Sequence, residues 1–197
     1  MTHKAAVEST RLFQPWQSDW SAAFRRYAMR HPAESEVAAL FADFVSAHAD
    51  AAERSLGVGH LTGSAWLVSA DGRRVLLTHH RKLSRWLQLG GHADGDVDLA
   101  RVALREAEEE SGLSGLAVVP EIFDLDRHEI PARGHEPAHW HYDVRYVVRA
   151  TAGEDFVVSD ESHALAWRDI AQLVVDDGAD ESLRRMARKW LVQSERS

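Results

Sequence analysis

Glu106, Glu109 and Glu110 stand at i, i+3 and i+4 within the run Arg105-Glu106-Ala107-Glu108-Glu109-Glu110-Ser111-Gly112-Leu113. A helix turns about 100° per residue, so it gathers these three carboxylates on one stripe. Like charges at that spacing repel by a few tenths of a kcal/mol per exposed pair, and by more when partly buried. A hard divalent cation relieves the repulsion, and Mg²⁺ prefers oxygen ligands. A solvated acidic face is the simpler reading of any charge run. The triple by itself does not choose between the two.

The stretch around it reads as a helix. Asp96 or Asp98 offers a side-chain cap at its start, and Gly112 supplies the left-handed residue that ends it. Ala100, Ala103, Leu104 and Ala107 share a small apolar side, expected to pack on a core. Arg101 and Glu108 are expected in water.

Residues 91–113 resemble the signature of the Nudix hydrolases. That signature runs Gly, five residues, Glu, seven residues, Arg-Glu, an aliphatic residue, any residue, Glu-Glu, any residue, Gly and an aliphatic residue. Gly91, Arg105-Glu106, Glu109-Glu110 and Gly112-Leu113 take the fixed places, and Ala107 fills the aliphatic one. One position departs: Val97 stands where the first Glu belongs, with Asp96 and Asp98 beside it as substitutes for its charge. With the flanking strands the resemblance extends over roughly residues 60–175.

The resemblance implies an α/β/α sandwich on a mixed β-sheet, here with an N-terminal helical extension over 1–57 and the Nudix domain over 58–197. It also implies a hydrolase that cleaves a nucleoside diphosphate joined to another group, using Mg²⁺ or Mn²⁺. Carried over by position, Glu106, Glu109 and Glu110 are metal ligands, one of them also a candidate base. The Gly91 carbonyl is a further ligand, and Arg105 orients a glutamate through a charge-assisted hydrogen bond. A late acidic residue falls to Glu161, with Asp160 competing. The chemistry agrees: a cation neutralises an anionic diphosphate and lowers the pKa of bound water. Two other readings remain. An isopentenyl diphosphate isomerase-like activity shares the fold, but its usual cysteine has no counterpart in a chain without cysteine. A binding or regulatory module would keep the fold and lose turnover, and Val97 is the one departure that favours it.

Other polar residues are candidates for the substrate. Arg81, with Lys82 and Arg85, precedes the strand 86–89 and could meet phosphates or be ordinary loop charge. His92, next to Gly91, is a local pocket candidate. Asp126, His128, His135, His139, His141 and Asp143 lie close together. On a strand His139, His141 and Asp143 share one face, and Arg145 continues it. Three readings stay open for this face: pocket lining, a structural role, or a second metal site of transition-metal type. Arg145 could hold a phosphate or pair with a neighbouring acid.

The elements that must position these groups follow from periodicity. Helices are expected over 19–30 and 32–56, broken at His31-Pro32, with Trp16, Trp20, Phe24 and Tyr27 and then Val37, Leu40, Phe41, Phe44 and Val45 as packing stripes. These could cover the other domain or form a homodimer. A hairpin is expected from 65–69 and 75–79 around Asp71-Gly72. Strands are expected at 116–123, extending towards 129, at 140–150 and at 164–168, with Trp167 on the last and Val157-Val158 as a short strand or loop. Helices near 170–174 and over 181–193 close the chain.

The chain has 197 residues, 45% hydrophobic and 27% charged, which suits a globular fold. Its net charge of −8 argues against nucleic-acid or anionic-membrane partners. An anionic small molecule remains admissible because a bound cation reverses the local sign. No apolar run reaches transmembrane length and no hydrophobic leader is visible, so a cytoplasmic location is expected.

Overall fold

Aromatic residues at helical spacing build the first part of the chain. In the computed structural model, which describes residues 14–81, 84–134, 136–158 and 162–195, α1 spans Pro15–Arg30. It opens on a proline, whose missing N–H is one that a first turn leaves unbonded anyway. A 3-10 turn at Pro32–Glu34 leads into α2, Ser35–Ala47. The second helix is therefore shorter than its apolar pattern suggested. Phe24 of α1 meets Phe41 of α2 at 5.4 Å, edge to face. Gln17 Nε2 donates to the Val45 carbonyl at 2.6 Å. These helices belong to one compact unit, and the residues from Ala52 onward form another.

The second unit is a seven-stranded mixed sheet with helices on both faces. Its strands are β1 (Gly59–Val68), β2 (Arg74–His80), β3 (Arg85–Leu87), β4 (Leu89–His92), β5 (Leu116–Ile130), β6 (His139–Ala150) and β7 (Ser162–Asp169). The helices are α3 (Leu99–Ser111), α4 (Ile170–Val175) and α5 (Glu181–Ser194). β1 lies at the centre, parallel to β6 along its whole length, with Gly59 opposite Trp140 and Val68 opposite Arg149. β4 runs antiparallel to the middle of β1, from Thr62 opposite His92 to Ala65 opposite Leu89.

Residues 65–69 and 75–79 are not a simple hairpin. β1 and β2 register only at Val68 and Val75. β2 then turns to pair with β7 and β3, while β4 takes its place beside β1. Val157 and Val158 form no strand, and the Val157 amide donates to the Ser111 carbonyl at the end of α3.

Every residue of β1 is buried, yet the strand alternates two characters. Leu61, Gly63, Ala65 and Leu67 face α3, while His60, Thr62, Ser64, Trp66 and Val68 face the other way. Trp66 and Val68 join Val147, Ile170, Leu173, Leu183, Met186 and Trp190 in the core beneath α4 and α5. On the opposite face α3 comes very close. A Cβ added to Gly63 would lie 2.9 Å from the Leu99 carbonyl oxygen and 2.9 Å from Val102 Cγ1. The α3 residues that turn inward are Leu99, Val102, Ala103 and Ala107, whereas Ala100 and Leu104 are half-buried. The apolar stripe is thus rotated slightly from the one its alanines suggested.

Substituting Gly63→Val should push α3 off the sheet and cost about 1–3 kcal/mol. The urea midpoint of unfolding measures this; an unchanged midpoint would mean that the helix does not depend on that contact.

Candidate active site

α3 is fixed at both ends by its own sequence. The Asp98 side chain accepts the Arg101 amide, and Gly112 closes the helix at φ 68°. Asp96 holds the Arg101 guanidinium through two bonds of 2.6 and 2.9 Å. Both acids beside Val97 are therefore committed to the start of the helix. Along the stripe Glu106 and Glu110 are half-buried and Glu109 is exposed.

Glu106 sits against bare backbone. A Cβ on Gly91 would lie 2.5 Å from the Glu106 carboxyl carbon, so only glycine lets the carboxylate reach β4. Arg105 Nη2 donates to Glu106 Oε1 at 2.8 Å and to the His92 carbonyl at 3.3 Å. One guanidinium thereby ties the glutamate to the strand. Glutamate oxygens beside an accessible backbone suit a hard divalent cation, and the cradle at Gly91 fits that donor set.

The opposite face of the sheet holds a buried ion network. Arg145 is 2% exposed and bonds to three aspartates: Nε to Asp143 at 2.7 Å, Nη1 to Asp124 at 3.2 Å and Nη2 to Asp126 at 2.9 Å. From α5, Arg185 reaches Asp124 at 2.7 Å and Asp126 at 3.2 Å, and Lys189 reaches Asp124 at 2.6 Å. Asp143 also accepts from Thr62, Ser64 and Gln88. Burial raises the Asp124 pKa, but the bond from Arg185 and the charges of Arg145 and Lys189 outweigh it and hold the carboxyl below the usual range. In this geometry Arg145 has its donors spent on aspartates and shows no face to a substrate. Asp124, Arg185 and Lys189 escaped the sequence reading because nothing local links them.

Beside the network five imidazoles cluster. His60 of β1 pairs in register with His141 of β6, which pairs with His128 of β5. The ring centroids of His60 and His141 are 4.8 Å apart, those of His60 and His92 5.1 Å, and those of His92 and His141 5.1 Å. His139 stacks on His60 at 5.1 Å and its Nδ1 donates to the Pro137 carbonyl at 3.0 Å. His60 is 2% exposed, and neither ring nitrogen has a hydrogen bond. Burial lowers its pKa to about 4, helped by the charges of His92 and His139. Burial, then His60 and His92, lowers His141 to about 2. Burial and Arg54 also lower His92. His92, His139 and His141 are legible as candidates in the sequence, whereas His60 is brought in only by the register of β1 on β6.

Arg81 is exposed in the loop after β2 and lies in neither group. Arg85 is exposed and pairs with Asp180 at 3.3 Å. Trp86 packs partly against the α4–α5 core, with Arg168 over its ring. Lys82, His135, Asp160 and Glu161 lie outside the described residues. No helix among the described residues is long and apolar enough to cross a membrane.

Comparison with known proteins adds the family context. The model of the NUDIX domain family matches residues 60–190. No curated protein matches the chain. Among solved structures, a C. elegans Ap4A hydrolase in a binary complex aligns with a TM-score of 0.55 at 16% identity, over 70% of this chain and 98% of its own. The MutT protein from Methanosarcina mazei Go1 aligns with a TM-score of 0.55 at 16% identity, over 71% and 97%. The E. coli dihydroneopterin triphosphate pyrophosphohydrolase does so with 0.55 at 16%, over 68% and 95%. At this identity the likeness is one of fold.

Two outcomes are expected from the buried polar face. Arg145→Met takes from three buried or half-buried aspartates the cation they share and should cost about 3–5 kcal/mol. If Arg145 instead served the substrate, KM would rise while the urea midpoint stayed in place. The second outcome concerns acid. Folded His60 stays neutral down to about pH 4, whereas unfolded histidine takes its proton near 6.5. The unfolded state therefore binds more protons between these values, and stability is lost as pH falls below about 6.5. The loss from His60 is on the order of 2 kcal/mol at pH 5. In EDTA, His60→Phe should lose that much less between pH 7 and pH 5; equal losses in both proteins would exclude His60 as a source.

Proposed function

We propose a function from the premise that this chain belongs to the Nudix family of hydrolases: it hydrolyses the diphosphate linkage of a small anionic molecule, with Mg²⁺ or Mn²⁺ held by the glutamates of α3. The observation that carries this reading is the seat of Glu106 on Gly91, held by Arg105, at the head of the stripe that continues through Glu109 and Glu110. Neighbours of the same fold carry names that refer to Ap4A and dihydroneopterin triphosphate, both phosphate anhydrides. That chemistry suits the donor set here.

The chain's own residues divide the work. Glu106, Glu109 and Glu110, with the Gly91 carbonyl, would hold the cation. When bound, it neutralises the diphosphate and lowers the pKa of a water molecule. The water oxygen forms a bond to phosphorus, the bridging P–O bond breaks, and the leaving phosphate keeps the electron pair. Glu109, the exposed member, is the carboxylate that a departing water proton can reach. Arg105 touches neither water nor substrate in this scheme; it keeps Glu106 pointed at the strand. A rigid helix pinned to a strand suits ligands that must keep their geometry.

The test is phosphate and pyrophosphate release from a panel of nucleoside triphosphates, nucleotide sugars and other diphosphate conjugates with Mg²⁺ or Mn²⁺. Glu109→Gln should lower kcat by about 10²-fold or more. Arg105→Gln should cost about 10- to 100-fold, as loss of an orienting partner does. A wild-type protein that binds these compounds, turns none over and binds them equally well as Glu109→Gln would be a binding module.

A further inference from the structure

We infer that His60, His92 and His141 form a binding site for a divalent transition-metal ion of the Zn²⁺ class, on the face of the sheet away from the glutamates of α3. The site is independent of the hydrolase reading and uses different donors. Three neighbouring strands each supply one imidazole. His60 and His141 are direct partners on β1 and β6, and His92 stands opposite Thr62, one step along the same face as His60. One nitrogen from each ring can be chosen so that all three lie within 4.8 Å of one another.

Zn–N bonds are about 2.0–2.1 Å, so the three nitrogens need to draw in by less than about 1 Å, which small ring rotations supply. Nitrogen donors select Zn²⁺, Co²⁺, Ni²⁺ or Cu²⁺ over Mg²⁺, which prefers oxygen. The second, independent observation is His60 itself. It is almost fully buried, and neither of its nitrogens bonds to anything among the described residues; the buried His141 Nε2 is in the same position. Such nitrogens aimed at one another are what a metal site requires and what a hydrophobic core avoids.

His139, stacked on His60, has its Nδ1 proton committed to the Pro137 carbonyl, which fixes its tautomer and its ring. Three protein ligands leave a fourth position for water or another donor. The ion also reaches the other face through backbone. His92 offers its ring to the imidazole cluster while its carbonyl accepts from Arg105, the residue that holds Glu106. Bound there, the ion ties β1, β4 and β6 together and steadies the strand on which Glu106 is seated.

The experiment is Co²⁺ titration of the full-length protein after EDTA treatment, followed in the visible spectrum. The expected result is one Co²⁺ per chain with the intense bands of low coordination, displaced by one equivalent of Zn²⁺ and untouched by millimolar Mg²⁺. His60→Gln and His141→Gln should each weaken Zn²⁺ by about 100-fold or more, while Glu109→Gln binds as wild type does. A thermal melt checks that each variant is folded. If neither histidine variant folds, ¹⁵N-histidine shifts on the wild type decide: ring signals of the cluster should move with Zn²⁺. Absence of intense bands in the wild type, their loss in Glu109→Gln, or ring signals that answer only to inorganic pyrophosphate would each overturn the site.

Discussion

The contact between a helix and bare backbone governs this domain. α3 lies on β1 and β4 where Gly63 and Gly91 offer no side chain, close enough that a single Cβ would strike it. That approach puts the Glu106 carboxylate on the strand and lets Arg105 bridge helix and strand through one guanidinium. The acidic stripe is thus fixed relative to the sheet by packing and by one charge-assisted fork. Asp98 and Gly112 cap α3 locally, and the Val157 amide adds a bond to the Ser111 carbonyl at its last turn. The caps set its ends, and the glycines decide where it lies.

The other face of the same strands is polar inside. Asp124, Asp126 and Asp143 face Arg145, Arg185 and Lys189, so three negative and three positive groups meet beneath α5. Burying such ions is expensive, and their mutual attraction roughly offsets the cost. Their effect is one of register. Asp143 takes bonds from Thr62 and Ser64 on β1 and from Gln88 just before β4, so a slip of any strand would strand a charge. This explains why β1, buried along its whole length, carries a threonine and a serine.

β4 meets two kinds of donor group within two residues. Gly91 meets the oxygen donors of α3, and His92 turns its ring to the nitrogen donors of β1 and β6. Alternation along a strand makes this arrangement natural. The oxygen donors and the nitrogen donors lie on opposite faces of the sheet, so the two proposed ion sites need not compete. Desolvation keeps the imidazoles of His60 and His141 neutral far below the usual histidine range, which preserves their lone pairs.

The helix with its caps, the acidic stripe, the placing of Arg105 beside Glu106 and the strands expected at 140–150 and 164–168, observed as His139–Ala150 and Ser162–Asp169, were legible in the sequence, because each is a local pattern. Capping spans three residues, a helical stripe four or five, and strand alternation two. The glutamate motif is legible for the same reason. The turn expected around Asp71-Gly72 joins β1 and β2 as an antiparallel pair, but the ladder behind it is short, since a turn signal shows where a chain reverses and not which strand it then prefers. Arg145 had two readings in sequence, and burial among three aspartates selected the pairing one. His60 carries no local signal in the sequence. Parallel pairing of β1 with β6, and β4 laid against β1, set it beside His141 and His92. Register between strands far apart in sequence is fixed by the sum of many packing and charge contacts across the sheet, and no local spacing carries that information.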